Sequence, residues 1–206
     1  MPAPIFRLFA ISDRATLPGG DLAAWLGQVA EAGIDAVQIR EKDLDDRSLY
    51  ELVRFARATL PPVTRLLVNG RIDVALAAGA DGAHLPADGP PLAPLRRRFG
   101  TGALLGRSTH QVEEVEQALK DGADFVTFGP VWATPGKERF GPPVGPQELG
   151  RASALGLPVY ALGGVTLDRF GEVASAGAAG VAGIRLFQPP SDLREAIRAA
   201  RRHFPG

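Results

Sequence analysis

The chain has 206 residues, 45% of them hydrophobic and 22% charged, with 23 Lys and Arg set against 23 Asp and Glu. That is the balance of one ordinary globular domain with a sizeable core, and a net charge of zero excludes a global attraction to nucleic acid or an anionic membrane surface. There is no Cys, which excludes disulfides and cysteine-based metal sites, and no run reaches the roughly 20 apolar residues of a membrane span.

The N-terminus, Met1 to Asp13, lacks a basic stretch followed by a long apolar run, so the expected location is the cytoplasm. From there the chain alternates. Short apolar, β-prone runs occur at 8–11, 36–39, 66–69, 82–85, 104–107, 125–129, 159–162 and 180–184. They are too apolar for exposed strands and suit a parallel sheet covered by helices. Helix-like stretches separate them at 21–32, 48–60, 72–78, 112–120, 167–176 and 193–203. The first opens on a capping Asp21 and carries Leu22, Trp25, Leu26 and Val29 on one face; the second does the same with Leu49, Leu52, Val53 and Ala56. Residues 86–94 and 130–146 are expected to be loops, the second long enough to be functional.

A refrain punctuates this order: Ala32-Gly33-Ile34-Asp35, Ala78-Gly79-Ala80-Asp81, Asp121-Gly122-Ala123-Asp124 and Ala176-Gly177-Ala178-Ala179. In each, a helix ends at Gly, a tight turn follows and a strand begins. Roughly eight such βα units over residues 1–206 predict a single (β/α)8 TIM barrel, with a doubly wound sheet as the alternative.

In such a barrel, chemistry sits at the C-terminal ends of the strands. After the second run, alternation places Gln38, Arg40 and Lys42 on one side, with Ile39 and Glu41 on the other; two cations and an amide suit an anion. Asn69 follows the third run, with Arg71 as a structural ion-pair partner and Asp73 opening a helix. His84 ends the fourth. After the fifth, Ser108 suits a ligand, whereas Thr109 or His110 suits a helix cap. Thr134 and Lys137 lie among Gly and Pro after the sixth run. The last two loops carry Gly163-Gly164 and Gly183-Ile184-Arg185. Loops at those two places, with backbone amides and a helix N-terminus, form the usual phosphate site of a barrel.

The chain resembles the thiamine phosphate synthase/TenI family from end to end. The matching motifs are Gln38-Ile39-Arg40-Glu41-Lys42, the stretch from Leu67 to Asp73, Asp81-Gly82-Ala83-His84-Leu85-Pro86, Gly106-Arg107-Ser108, the stretch from Gly122 to Lys137, Ala161-Leu162-Gly163-Gly164-Val165 and the stretch from Gly177 to Ala182. The resemblance implies a TIM barrel. It implies that Gln38, Arg40 and Lys42 stand at diphosphate-side positions and Asn69 at a pyrimidine-side position. His84, Ser108, Thr134 and Lys137 match further site positions, and Gly164 with the backbone of Ile184 and Arg185 matches a thiazole-phosphate cradle. The synthase branch joins thiazole phosphate to hydroxymethylpyrimidine diphosphate, releases pyrophosphate and uses magnesium.

Two departures stand out. Gly70 replaces the Asp that follows the synthase Asn, and Asp88 alone lies near the expected acidic pair. Asn69-Gly70-Arg71 and His84-Leu85-Pro86 are closer to the TenI branch, which includes thiazole tautomerases, but Pro130 stands where the tautomerase type has its His. The leading expectation is therefore a TenI-like protein that binds thiazole phosphate and acts as a tautomerase, with His84 as the proton carrier and no metal or cofactor. The alternatives are a thiamine phosphate synthase, which would need magnesium, a non-catalytic regulatory paralogue, and an unrelated phosphate-binding barrel. The expected partner is a small phosphate ligand, with no nucleic acid or membrane, in a homo-oligomer.

Overall fold

A computed structural model describes residues 6–134, 142–189 and 192–204. All eight apolar runs are strands: β1 (Leu8–Ile11), β2 (Ala36–Ile39), β3 (Arg65–Asn69), β4 (Gly82–Leu85), β5 (Leu104–Thr109), β6 (Phe125–Phe128), β7 (Val159–Leu162) and β8 (Gly180–Gly183). Every neighbouring pair is parallel, the strands follow chain order, and β8 pairs back onto β1 with Leu8 opposite Val181. The sheet is thus a closed barrel, and closure rules out the doubly wound alternative.

The helices are α1 (Leu22–Ala32), α2 (Asp46–Thr59), α3 (Ile72–Ala77), α4 (Leu92–Phe99), α5 (Val112–Lys120), α6 (Gly145–Ser153), α7 (Phe170–Ser175) and α8 (Leu193–His203). Asp21 caps α1 by accepting from the Ala24 amide at 2.9 Å. Two helices cut short the loops expected at 86–94 and 130–146. α4 starts directly after Pro91 and carries Pro94 in its first turn, as α6 carries Pro146. Proline reads as a loop signal, yet the first helical turn tolerates it because no carbonyl awaits its missing N–H there. The fifth helix, α5, is not capped by Thr109 or His110: Gln111 is its N-cap residue, and the Glu114 carboxylate accepts from the His110 and Gln111 amides at 2.5 and 3.2 Å. Thr109 instead donates to the Thr127 carbonyl.

The refrain has a physical basis at both of its positions. Gly33, Gly79, Gly122 and Gly177 all adopt left-handed φ, between 76° and 83°, where a Cβ is penalised. In the first three, the Asp that follows accepts from amides in or beside the start of the preceding strand. Asp35 takes those of Arg7 and Leu8 at 2.8 and 2.9 Å, Asp81 that of Leu66 at 2.8 Å, and Asp124 that of Leu105 at 2.7 Å. These carboxylates satisfy backbone donors at the barrel floor, opposite the mouth. We expect Asp124→Ala, which strands the Leu105 amide and removes the partner of Arg96, to lower stability by about 1–3 kcal/mol in urea unfolding. A change under about 0.5 kcal/mol, the size of an ordinary surface substitution, would show that the floor carboxylate is dispensable.

The cores divide by strand parity. Outward positions such as Val37, Ile39, Val68 and Leu105 pack with Trp25, Leu26, Val53 and Phe170 of the helices. Inward positions form a second cluster of Phe6, Phe9, Ile11, Ala36, Leu67, Phe125, Tyr160 and Ala182. Four aromatics thus fill the barrel, with Phe6 stacked on Tyr160 at 4.3 Å between ring centres. Gly106 makes room for them, since a Cβ there would lie 2.2 Å from the Phe125 ring. The interior is a plug of side chains beneath the mouth of the barrel.

Candidate active site at the mouth of the barrel

Above the aromatic plug lies a cavity of about 510 Å³, within the size range of small-molecule sites. The expected Gln38, Arg40, Asn69, His84, Ser108, Thr134, Gly163, Gly164, Ile184 and Arg185 all line it. They reach it because strand alternation repeats the inward parity one step higher: Gln38 follows Ala36, Asn69 follows Leu67, and Ser108 follows Gly106.

Lys42 is not in this group. The strand that carries Gln38 ends at Ile39, so alternation no longer applies, and Lys42 sits exposed in a turn. It lines a neighbouring cavity with Arg14, Gly20, Glu41 and Asp43, and Asp13 and Arg40 are shared by both cavities. Lys137 lies outside the described residues. Glu41 does not line the main cavity; it is buried where it accepts from Ser12 Oγ at 2.6 Å and from the Arg14 backbone and side chain. Arg71 is the ion-pair partner it was expected to be, bound to Asp73 at 2.8 Å and to Asp46; these hydrogen bonds raise its pKa.

One side of the cavity is an amide pair. Gln38 is 1% exposed, and its Nε2 donates to Asn69 Oδ1 at 3.0 Å. Its Oε1 is buried with no hydrogen-bond partner among the described residues. A buried carbonyl oxygen without a donor costs free energy, so it invites a ligand N–H.

His84 forms part of the base. Its ring stacks on Phe125 at 5.6 Å and 12°, meets Phe9 edge-on, and places Nε2 3.2 Å from Thr127 Oγ1. Burial among these rings disfavours the imidazolium and pushes the pKa down to about 4. At neutral pH, His84 is an uncharged imidazole.

The opposite side is the glycine cradle. The loop after β6 packs on the loop after β7 through Val131 N–H to the Leu162 carbonyl at 3.0 Å and Trp132 N–H to the Gly163 carbonyl at 3.1 Å. A Cβ on Gly163 would lie 2.6 Å from Pro130 Cβ, and one on Gly164 would lie 2.7 Å from Trp132 Cβ and 2.8 Å from the Ala133 carbonyl. Glycine is required at both because two backbones nearly touch. Among the described residues, the amides of Gly164 and Ile184 donate to no carbonyl in the turns, loops and caps. They stay available to an anion, the arrangement that binds phosphate.

Asp13 and Thr16, after β1, also line the cavity and were missed in the sequence. The strand-end rule, applied to Ser12-Asp13-Arg14, would have found Asp13. It pairs with Arg40 at 3.6 Å and is the one carboxylate on the cavity wall among the described residues.

That donor set does not fit magnesium held by carboxylates. Magnesium takes oxygen ligands in near-octahedral order, and no group of three or more His, Asp or Glu able to hold a metal occurs among the described residues. Gly70 has φ 73°, so an acidic side chain there would be strained, and Asp88 is exposed. The loop bearing Asp88 is pinned by Arg107, whose guanidinium donates to the carbonyls of Pro86, Gly89 and Pro90.

No helix among the described residues is long and apolar enough to cross a membrane. Comparison with known proteins agrees with the barrel. The model of the family described as thiamine monophosphate synthase matches residues 8–187. A protein of Geobacter sulfurreducens named "Putative thiamine-phosphate synthase" is 44% identical over 196 residues, covering 94% of this chain and 92% of its own. The thiamine-phosphate synthase of Roseiflexus castenholzii is 37% identical over 207 residues, covering 97% and 89%. Among solved structures, thiamine phosphate pyrophosphorylase from Pyrococcus furiosus superposes with a TM-score of 0.86 at 26% identity, covering 98% of each chain. With the motifs, the closed barrel and these matches in agreement, the chain belongs to the thiamine monophosphate synthase/TenI family.

Proposed function

We propose that this protein works in thiamine biosynthesis as a thiamine phosphate synthase, joining thiazole phosphate to hydroxymethylpyrimidine diphosphate and releasing pyrophosphate. The observation that carries the reading is the two-ended cavity. The glycine cradle offers backbone donors to the phosphate of one substrate. Across from it, the Gln38 carbonyl has no donor of its own and suits the amino group of a pyrimidine. A one-substrate isomerase has no need of the second end. It needs a proton carrier, and Pro130 has no titratable group, while His84 has a pKa near 4 and is uncharged at neutral pH. The relatives reported above are named as thiamine-phosphate synthases or a thiamine phosphate pyrophosphorylase, which favours the transferase.

In this reading Gln38 and Asn69 hold and orient the pyrimidine. Neutral His84, backed by Phe125, forms the base of the cavity against which the rings lie and from which water is excluded. Arg40 faces the charge that grows on the departing pyrophosphate, with Lys42 beside it in the adjoining cavity. Fixed charges placed where the leaving group becomes anionic stabilise the transition state more than the ground state.

Purified protein incubated with both substrates and magnesium is expected to form thiamine phosphate and pyrophosphate in equal amounts, and a parallel incubation without magnesium reads how far the reaction depends on the metal. Mass spectrometry and a coupled pyrophosphate assay read the two products. Absence of both products in every condition would overturn the reading, and aromatisation of the carboxylated thiazole phosphate alone, followed by absorbance, would restore the tautomerase.

A further inference from the structure

Arg169 lies outside the cavity, at the end of the 3-10 turn Leu167–Arg169 that leads into α7. Its backbone is fixed by donation to the Thr166 carbonyl at 3.0 Å. Its Nη1 donates to the Gly164 carbonyl at 2.5 Å, and its Cζ sits 4.9 Å from the centre of the Trp132 ring. One guanidinium therefore donates to a carbonyl of the β7 loop and sits over the aromatic face of the β6 loop. These are the two segments whose contact leaves no room for a Cβ at Gly163 or Gly164.

We propose that Arg169 is a positioning residue for phosphate binding: it clamps the β6 and β7 loops together and aims the Gly164 amide into the cavity. The proposal rests on the reading of that cradle as a phosphate site. The Gly164 N–H shares a peptide plane with the Gly163 carbonyl, which accepts from the Trp132 N–H at 3.1 Å; the cation–π contact holds Trp132 in place and so fixes that plane, while the hydrogen bond to the Gly164 carbonyl fixes the next one. The pair also constrains Thr134, whose Oγ1 donates to the Trp132 carbonyl at 3.2 Å and which lines the cavity. Arginine suits the task because a single group both stacks and donates in its plane; lysine keeps the charge but not the fork.

Two measurements on the intact chain test this separately from the proposed function. In the free protein, Arg169→Leu is expected to speed amide hydrogen exchange in residues 131–134 and 163–166 while leaving β1 to β4 unchanged. Unchanged exchange in both loops overturns the clamp whatever the protein binds. Calorimetry then compares thiazole phosphate with the dephosphorylated thiazole alcohol. Arg169→Leu should weaken the phosphorylated ligand about tenfold and the alcohol not at all, with Arg169→Lys between native and Leu. Equal weakening of both ligands, or full retention of phosphate affinity by Arg169→Leu, would refute the positioning role. If the native protein binds neither ligand, the exchange result still decides the clamp, and it is the synthase reading that fails.

Discussion

Gly164→Val is expected to lower affinity for thiazole phosphate by at least about 100-fold, near 2.7 kcal/mol, while leaving a folded barrel. The reason is backbone crowding. Gly164 has φ 64°, and a Cβ would lie within 3 Å of Trp132 Cβ, the Ala133 carbonyl oxygen and the Trp132 carbonyl carbon. No rotamer relieves such a contact, because two of the three clashing atoms belong to the main chain. The β7 loop would have to move away from the β6 loop, carrying the Gly164 amide out of line with the ligand. A control separates this from simple left-handed strain, which costs about 1–2 kcal/mol. Gly156 has φ 85°, and a Cβ there would meet nothing within 4 Å. Gly156→Ala should therefore lose stability without losing affinity. Calorimetric titration and thermal unfolding of both variants make the comparison. Gly164→Val binding thiazole phosphate as tightly as native protein would remove the glycine cradle from the site.

The second large effect is a dependence of stability on pH that traces to one side chain. His84 has an ordinary pKa near 6.5 in the unfolded chain and about 4 in the folded barrel, because burial between Phe125 and Phe9 disfavours its charged form. Between these values the unfolded state binds the proton and the folded state does not, so stability rises with pH across this window. The contribution of His84 is fully present above pH 6.5, is lost as pH falls toward 4, and changes no further below it. The total is of order 3 kcal/mol. Urea unfolding from pH 4 to 7 should show this slope, and His84→Gln should flatten it. The three His residues also allow a direct reading by NMR: one imidazole should titrate near pH 4. If the His84 imidazole instead titrated near 6.5, it would be accessible to protons at neutral pH, and its expected role as a proton carrier would regain its footing.

Much of the architecture could be read from local pattern because its causes are local. A strand buried on both faces must be apolar along its whole length, and a helix that ends in a left-handed turn favours Gly. Both signals occupy a few adjacent residues, so all eight strands were found to within two residues, including β8 with its Gly-rich sequence. Where the local signal was ambiguous the reading failed, as at Pro94 and Pro146, whose proline chemistry suits a loop and a helical first turn equally. Most of the candidate site was legible for the same reason. In a parallel barrel the mouth is the C-terminal end of every strand, so Gln38, Asn69, His84, Ser108 and Gly164 could be assigned to one place without knowing how the strands close. Lys42 shows the limit: parity holds only while the strand lasts, and β2 stops three residues earlier.

The order of βα units, the inward parity of the strand residues and the glycine turns all follow from the linear chain, since each depends on neighbours a few residues away. What those groups became depends on how the barrel closes. The low pKa of His84 comes from rings contributed by β1 and β6, and the orphaned Gln38 carbonyl exists because Asn69 on the next strand engages the amide nitrogen instead. The Arg169 clamp joins two loops separated by α6 and β7. Burial, pairing and contact across the barrel are set by ring closure, which brings together side chains that no spacing in the sequence relates.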